Sequence, residues 1–252
     1  MTPELPPEPP RSLRLAVDPL ALAHNWQSLD RLSGRASAGA AVKANAYGLG
    51  VDAVVPVLRE AGCRDWFVAH WSETPGVLAH VAPQQISVLH GPLRSEDAVY
   101  ARSKGLRPVL NSMAQIDLWL KHGGGACDLM VDTGMSRLGL PVEALGDPAL
   151  ARLDVEVLMS HLASADEDSP QNERQRSRFA QACATIPARR RSLANSAGIV
   201  MGQDYHHDLT RPGLSLYGGI PRSELNGAIR QVAHLSAALI QCRDLEAGDA
   251  VG

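Results

Sequence analysis

Residues 40–61 read AAVKANAYGLGVDAVVPVLREA, and three textures follow one another in them. Ala40 to Ala44 is a short apolar run of strand length, Gly48 and Gly50 mark a slim loop, and Asp52 to Ala61 places apolar residues at helical spacing. Strand, turn and helix in that order form the repeating unit of a parallel sheet. The same alternation runs outward on both sides. Strands are expected at Leu13 to Val17, Ala40 to Ala44, Trp66 to His70, Ile86 to Leu89, Arg107 to Leu110, Asp128 to Val131, Val155 to Ser160, Arg191 to Ala194 and Leu209 to Leu214. Helical stretches such as Pro19 to Leu32, Asp52 to Ala61, Met113 to His122 and Glu173 to Ile186 lie between them. Setting the first strand aside leaves eight, and eight strand–helix units in about 250 residues close into a TIM (β/α)8 barrel. The expected fold class is therefore α/β, with the barrel within residues 13–230 and a disordered proline-rich lead-in over residues 1–12. Residues 231–252 are expected to form the first strand of a second, β-rich domain, with Val232 to Arg243 as that strand and Glu246 to Asp249 as a turn.

Composition narrows the function classes. A chain of 252 residues, 45% hydrophobic, buries one large domain or two modest ones. The opening MTPELPPEPPRS has neither a basic nor an apolar signal region, and no run approaches the ~18 apolar residues of a membrane helix. No membrane is expected, and the cytoplasm is the default compartment. Cys63, Cys127, Cys183 and Cys242 lie far apart and read as buried free thiols, with no metal site indicated. A net charge of −3 supplies no basic face for nucleic acid, and Arg189 to Arg191 read as a solvated helix end.

In such a barrel the reacting groups gather where strands run into loops. The polar residues at those points are Lys43, Asn45 and Tyr47; Asp132 and Arg137; Ser160 and His161; Asn195 and Ser196; Arg211 and Gly213. A lysine at a barrel mouth is partly desolvated, which favours the neutral amine needed to condense with a carbonyl. His206 and His207 beside Asp208 point to opposite faces if they lie on a strand, and Asp166 to Asp168 lack a ligand set of metal-like spacing. Both are read as structural or solvated.

The string AVKANAYGLG (Ala41 to Gly50) closely resembles the pyridoxal 5′-phosphate signature of alanine racemases. VDTGMSRLG (Val131 to Gly139), SHLASADE (Ser160 to Glu167), ANSAG (Ala194 to Gly198) and RPGLSLYGG (Arg211 to Gly219) look like further blocks of that family, in the family's order. The resemblance covers the chain from about Leu13 to its last residue. It implies a Schiff-base lysine at Lys43, with Tyr47, Ser196, Gly213 and Leu214 on the cofactor phosphate. It places Arg211 against the pyridine nitrogen, which it keeps unprotonated, and His161 beside the ring and Arg211. Arg137 is implied near the phenolic oxygen of the cofactor and the substrate carboxylate. The implied activity is interconversion of L- and D-alanine, supplying D-alanine for peptidoglycan, in a homodimer. Another amino-acid racemase or decarboxylase on the same barrel, or a non-catalytic single-barrel pyridoxal-phosphate protein, stays open as an alternative.

Two departures stand out. Where the family often has a carbamylated lysine that orients the arginine matching Arg137, this sequence has Met130, a thioether that carries no negative charge. The family also continues past GDAVG into a tyrosine, its second base, and a β-domain. The chain as given is therefore expected to bind the cofactor weakly and to racemise alanine poorly or not at all.

Overall fold

The computed structural model describes residues 11–251. The lead-in expected over residues 1–12 lies, apart from Arg11 and Ser12, outside the described residues. The strands, in chain order, are β1 (Leu13–Val17), β2 (Ser37–Ala38), β3 (Ala40–Ala41), β4 (Trp66–Val68), β5 (Ile86–Val88), β6 (Arg107–Leu110), β7 (Ala126–Asp132), β8 (Leu140–Pro141), β9 (Asp154–Met159), β10 (Arg190–Ser192), β11 (Leu209–Thr210) and β12 (Ala233–Ala237). From β3 through β4, β5, β6, β7 and β9 to β10, each strand pairs in parallel with the next, and β11 pairs in parallel with β2.

Backbone bonds close the ring. Asp208 N donates to Arg191 O at 3.0 Å and Arg211 N to Ala194 O at 2.9 Å, joining β10 to β11. On the other side of β11, Gly39 N donates to Thr210 O and Ala41 N to Pro212 O, both at 2.9 Å. β2 and β3 are thus halves of one strand interrupted at Gly39, where a Cβ would stand 2.9 Å from the Phe67 ring and 3.0 Å from Asp65 O. Counted this way, the described residues form eight parallel strands in a closed barrel, with β8 as a short addition on β7.

The first helix, Pro19–Leu32, shows how the outer layer is attached. Asp18 caps it, accepting from Leu20 N and Ala21 N at 2.9 and 3.0 Å, and Pro19 suits the first turn because it needs no hydrogen-bonded N–H. Ala21, Leu22, Trp26 and Leu29 form its buried stripe, each large side chain contributing roughly 2 kcal/mol of burial. The buried Asn25 staples this helix to the end of the barrel: its amide donates to Leu216 O at 3.1 Å and Arg230 O at 2.8 Å.

Inside the barrel, Ala41, Phe67, Val109, Met130, Val157, Met159 and Leu209 form a separate apolar cluster. Nearer the strand starts lies an ion network in which Arg190 holds Asp65 at 2.7 Å and Glu156 at 3.2 Å, while Arg107 approaches Asp65 and Asp128 at 3.5 Å. The solvated helix end expected at Arg189 to Arg191 is therefore corrected: Arg190 opens β10, and its charge is paired across neighbouring strands. The thiol reading holds for Cys63 and Cys127, which are buried; Cys242 is exposed.

β1 lies outside the barrel and pairs antiparallel with β12, Leu15 opposite Leu235. The strand expected over Val232 to Arg243 ends at Ala237. Among the described residues, no helix is long and apolar enough to cross a membrane.

Candidate active site

The strand expected to run to Ala44 stops at Ala41, and the chain turns the wrong way round. Ala44, Asn45, Ala46 and Tyr47 have φ of 52°, 53°, 55° and 56°, a turn of left-handed helix made of L-residues. Such a turn costs about 1–2 kcal/mol per residue through contact of Cβ with the following carbonyl. It directs Lys43 and Tyr47 to one cleft above the apolar cluster.

That cleft, about 290 Å³, is lined by Lys43, Tyr47, Arg137, His161, Ser196, Arg211, Gly213 and Leu214, which are all the site residues marked in the sequence. Of the other strand-end polar residues, Asn195 lines it, whereas Asn45, Asp132 and Ser160 have structural partners. Asn45 Oδ1 accepts from Val51 N at 2.9 Å, and the Ser160 hydroxyl pairs with Thr133 at 2.7 Å. Asp132 clamps the loop that carries Arg137: Oδ1 accepts from Gly134 N and Met135 N, both at 2.9 Å. Asp166, read as solvated, forms part of the cleft wall. The buried His206 bonds Ile199 O at 2.7 Å, and His207 sits edge-on to Phe179; both lie in a turn before β11, not on a strand.

One end of the cleft is a cradle. The Ser196 hydroxyl accepts from Gly213 N at 3.1 Å and Ser215 N at 3.2 Å. A Cβ at Gly213 would collide with the Tyr47 hydroxyl, so only glycine lets the phenol lie against this backbone. Tyr47 stacks on Tyr217, with ring centres 4.7 Å apart, and Tyr217 donates to Ala41 O at 2.8 Å. The Ser215 hydroxyl is buried with no partner among the described residues.

The electrostatics are cationic. The buried Arg211, at the wall of the cleft, donates to the Ser192 hydroxyl and to Ser160 O, and burial pushes its pKa down to about 10, so it stays charged at neutral pH. Burial, followed by the neighbouring Arg137 charge, lowers the Lys43 ammonium below the usual lysine value, with Glu73 acting the other way. His161 is pushed down to about 3 by burial and by Arg211, Arg137 and Lys43. Its imidazole is neutral at pH 7. Among the described residues Arg137 makes no salt bridge, and Met130, which also lines the cleft, belongs to the apolar cluster and brings no charge to it. A concave site with Lys43, Arg137 and Arg211 on its walls favours a ligand that brings negative charge.

These features fit pyridoxal phosphate. The cradle of Ser196, Gly213 and the Tyr47 hydroxyl suits a phosphate, and the partly desolvated amine suits a carbonyl. Sequence reading missed Glu73 and Tyr217. Tyr217 was within reach, since it lies in the RPGLSLYGG block; Glu73 acts on a backbone N–H 29 positions away and leaves no local motif.

Fold and site together define a barrel protein of the pyridoxal-phosphate-binding class, its lysine at the C-terminal end of the first barrel strand. Residues 17–221 match the alanine racemase N-terminal domain family, and the chain belongs to that family. It is similar to the alanine racemase of Rhodospirillum rubrum, 46% identical over 94% of this chain and 67% of that protein. It is also similar to the biosynthetic alanine racemase of Agrobacterium fabrum, 40% identical over 95% of this chain and 63% of that protein. The chain spans about two thirds of the length of these relatives. Among solved structures, alanine racemase from Bartonella henselae with covalently bound pyridoxal phosphate superposes with a TM-score of 0.86 at 32% identity, over 96% of this chain and 70% of that one. Biosynthetic alanine racemase from Pseudomonas aeruginosa gives 0.85 at 33% identity, over the same shares.

Proposed function

We propose that this chain is the cofactor-bearing part of a pyridoxal-phosphate-dependent alanine racemase, with the cofactor held in the barrel within residues 13–230. The observation that carries the reading is the convergence of Lys43, Tyr47, Arg137, His161, Ser196, Arg211, Gly213 and Leu214 on one cationic cleft. When bound, pyridoxal phosphate supplies an electron sink that acidifies the hydrogen on the α-carbon of an amino acid. Lys43 would hold the cofactor covalently and, once free as an amine, move a proton at that carbon from one face. Tyr47, Ser196, Gly213 and Leu214 would hold the phosphate. Arg211, charged and buried, would face the pyridine nitrogen; it has no proton to give up at neutral pH. The neutral His161 packs beside it without adding a further positive charge. Arg137, free of ion pairs among the described residues, would take the substrate carboxylate through its guanidinium fork. Racemisation needs a proton donor on each face of the α-carbon, and Lys43 serves one. A homodimer in the cytoplasm that supplies D-alanine for peptidoglycan is the biological setting this reading implies.

The test is solvent exchange. With pyridoxal phosphate in deuterium oxide, the chain should wash the α-hydrogen out of one enantiomer of alanine, as seen by NMR, and Lys43→Ala should abolish it. Equal exchange in that variant would remove Lys43 from proton transfer.

A further inference from the structure

The left-handed turn Ala44–Tyr47 sets the direction of Lys43, and its conformation is one that L-residues leave when unrestrained. Internal bonds tie its later part: Ala46 N donates to Val42 O, Gly48 N to Ala44 O and Gly50 N to Asn45 O, each at 2.9 Å. Its first N–H is held from outside. Ala44 N donates to Glu73 Oε1 at 2.8 Å, while Oε2 of the same carboxylate accepts from Ala69 N at 2.7 Å and His70 N at 3.3 Å. One side chain therefore clasps the backbone just beyond β3 to the backbone just beyond β4. Glu73 is outside the set of residues lining the cleft.

We propose that Glu73 is a positioning residue for Lys43, clamping the strained turn so that the amine is presented to the carbonyl of its cofactor. The inference rests on the assignment of Lys43 above. A carboxylate does two things here that a neutral side chain does not: it accepts on both oxygens at once, and its charge favours the protonated form of Lys43. Glutamine at this position presents one acceptor and no charge.

Three measurements on the full 252-residue chain test this. Hydrogen exchange without added cofactor should show the Ala44–Gly50 amides exchanging about tenfold faster in Glu73→Ala, the loss of a hydrogen bond to a charged group, with the strands β6 and β7 unchanged. The rate at which borohydride traps added pyridoxal phosphate on Lys43 should fall by a similar factor, and Ala44→Gly, which removes the Cβ clash of the turn, should restore part of it. In Glu73→Gln the pH midpoint of trapping should move down, because the opposing charge is gone. Unchanged exchange and trapping in Glu73→Ala would overturn the proposal. If that variant does not fold, an unshifted midpoint in Glu73→Gln overturns it instead. Failure of the unsubstituted chain to trap pyridoxal phosphate would count against the proposed function and leave the exchange result to judge Glu73.

Discussion

An added methyl at Gly213 would meet the Tyr47 hydroxyl and stand 3.1 Å from the ring carbon that carries it. Gly213→Ala must therefore push the phenol out of the cradle, and overpacking of this kind weakens pyridoxal phosphate binding by about tenfold or more in a fluorescence titration. Binding equal to that of the unsubstituted chain would mean that the phosphate lies elsewhere. His161 makes a pH-dependent prediction. Its folded pKa of about 3 lies below the ordinary 6.5, so the unfolded chain takes up the proton first as pH falls. Its contribution to stability is complete above pH 6.5 and is lost on descending towards pH 3, amounting to about 2 kcal/mol between pH 6.5 and 5. Urea unfolding at pH 7 and pH 5 should show a smaller loss of stability in His161→Gln than in the unsubstituted chain by that amount; equal losses would contradict it. At this level the sequence was most legible where a role depends on neighbours along the chain. Lys43, Tyr47 and Arg211 sit in compact motifs, whereas Glu73 works by accepting backbone N–H groups, which any carboxylate in the right place can do.

The left-handed turn also explains why its strand was misread. Ala40 to Ala44 has strand-like composition, but composition carries no handedness, and Lys43 has to be aimed by a backbone that leaves the strand after Ala41. Ala44 is exposed, so Ala44→Gly removes a steric cost without opening a cavity and should stabilise the fold by about 1 kcal/mol in urea unfolding. A glycine in a right-handed helix would do the reverse, and destabilisation here would argue against the turn. The eighth barrel strand was overextended for a different reason: Pro212 has no N–H for a ladder, and Leu214 begins a tight turn that ends at Tyr217. The helix Pro19–Leu32 was placed with both ends correct because its Asp18 cap, Pro19 and apolar spacing agree. Ser95–Lys104, in contrast, buries only Ala98 and Ala101 and shows no apolar stripe to read. Burial separates the layers energetically. Leu29, fully enclosed against the barrel, should cost about 2–5 kcal/mol on truncation to alanine. Leu15, 48% exposed on β1, should cost much less by the same assay.

Across the whole molecule the barrel separates its charges. Asp65, Asp128, Arg107 and Arg190 neutralise one another near the strand starts, while Lys43, Arg137 and Arg211 are left to face the cleft at the strand ends. The ring of strands could be read from the sequence by counting, but its closure also uses β2, a two-residue segment paired with β11 and too short to mark itself in the sequence. The proposed attachment of the cofactor to Lys43, at the end of the first barrel strand, can be checked directly, because the lysines of the chain are Lys43, Lys104 and Lys121. The chain should be incubated with pyridoxal phosphate, reduced with borohydride and digested, and the pyridoxyl group located by mass spectrometry. The group should be found on Lys43 and should disappear in Lys43→Ala. Recovery of the label on Lys104 or Lys121 with Lys43 unmodified, or no label at saturating cofactor, would contradict the assignment.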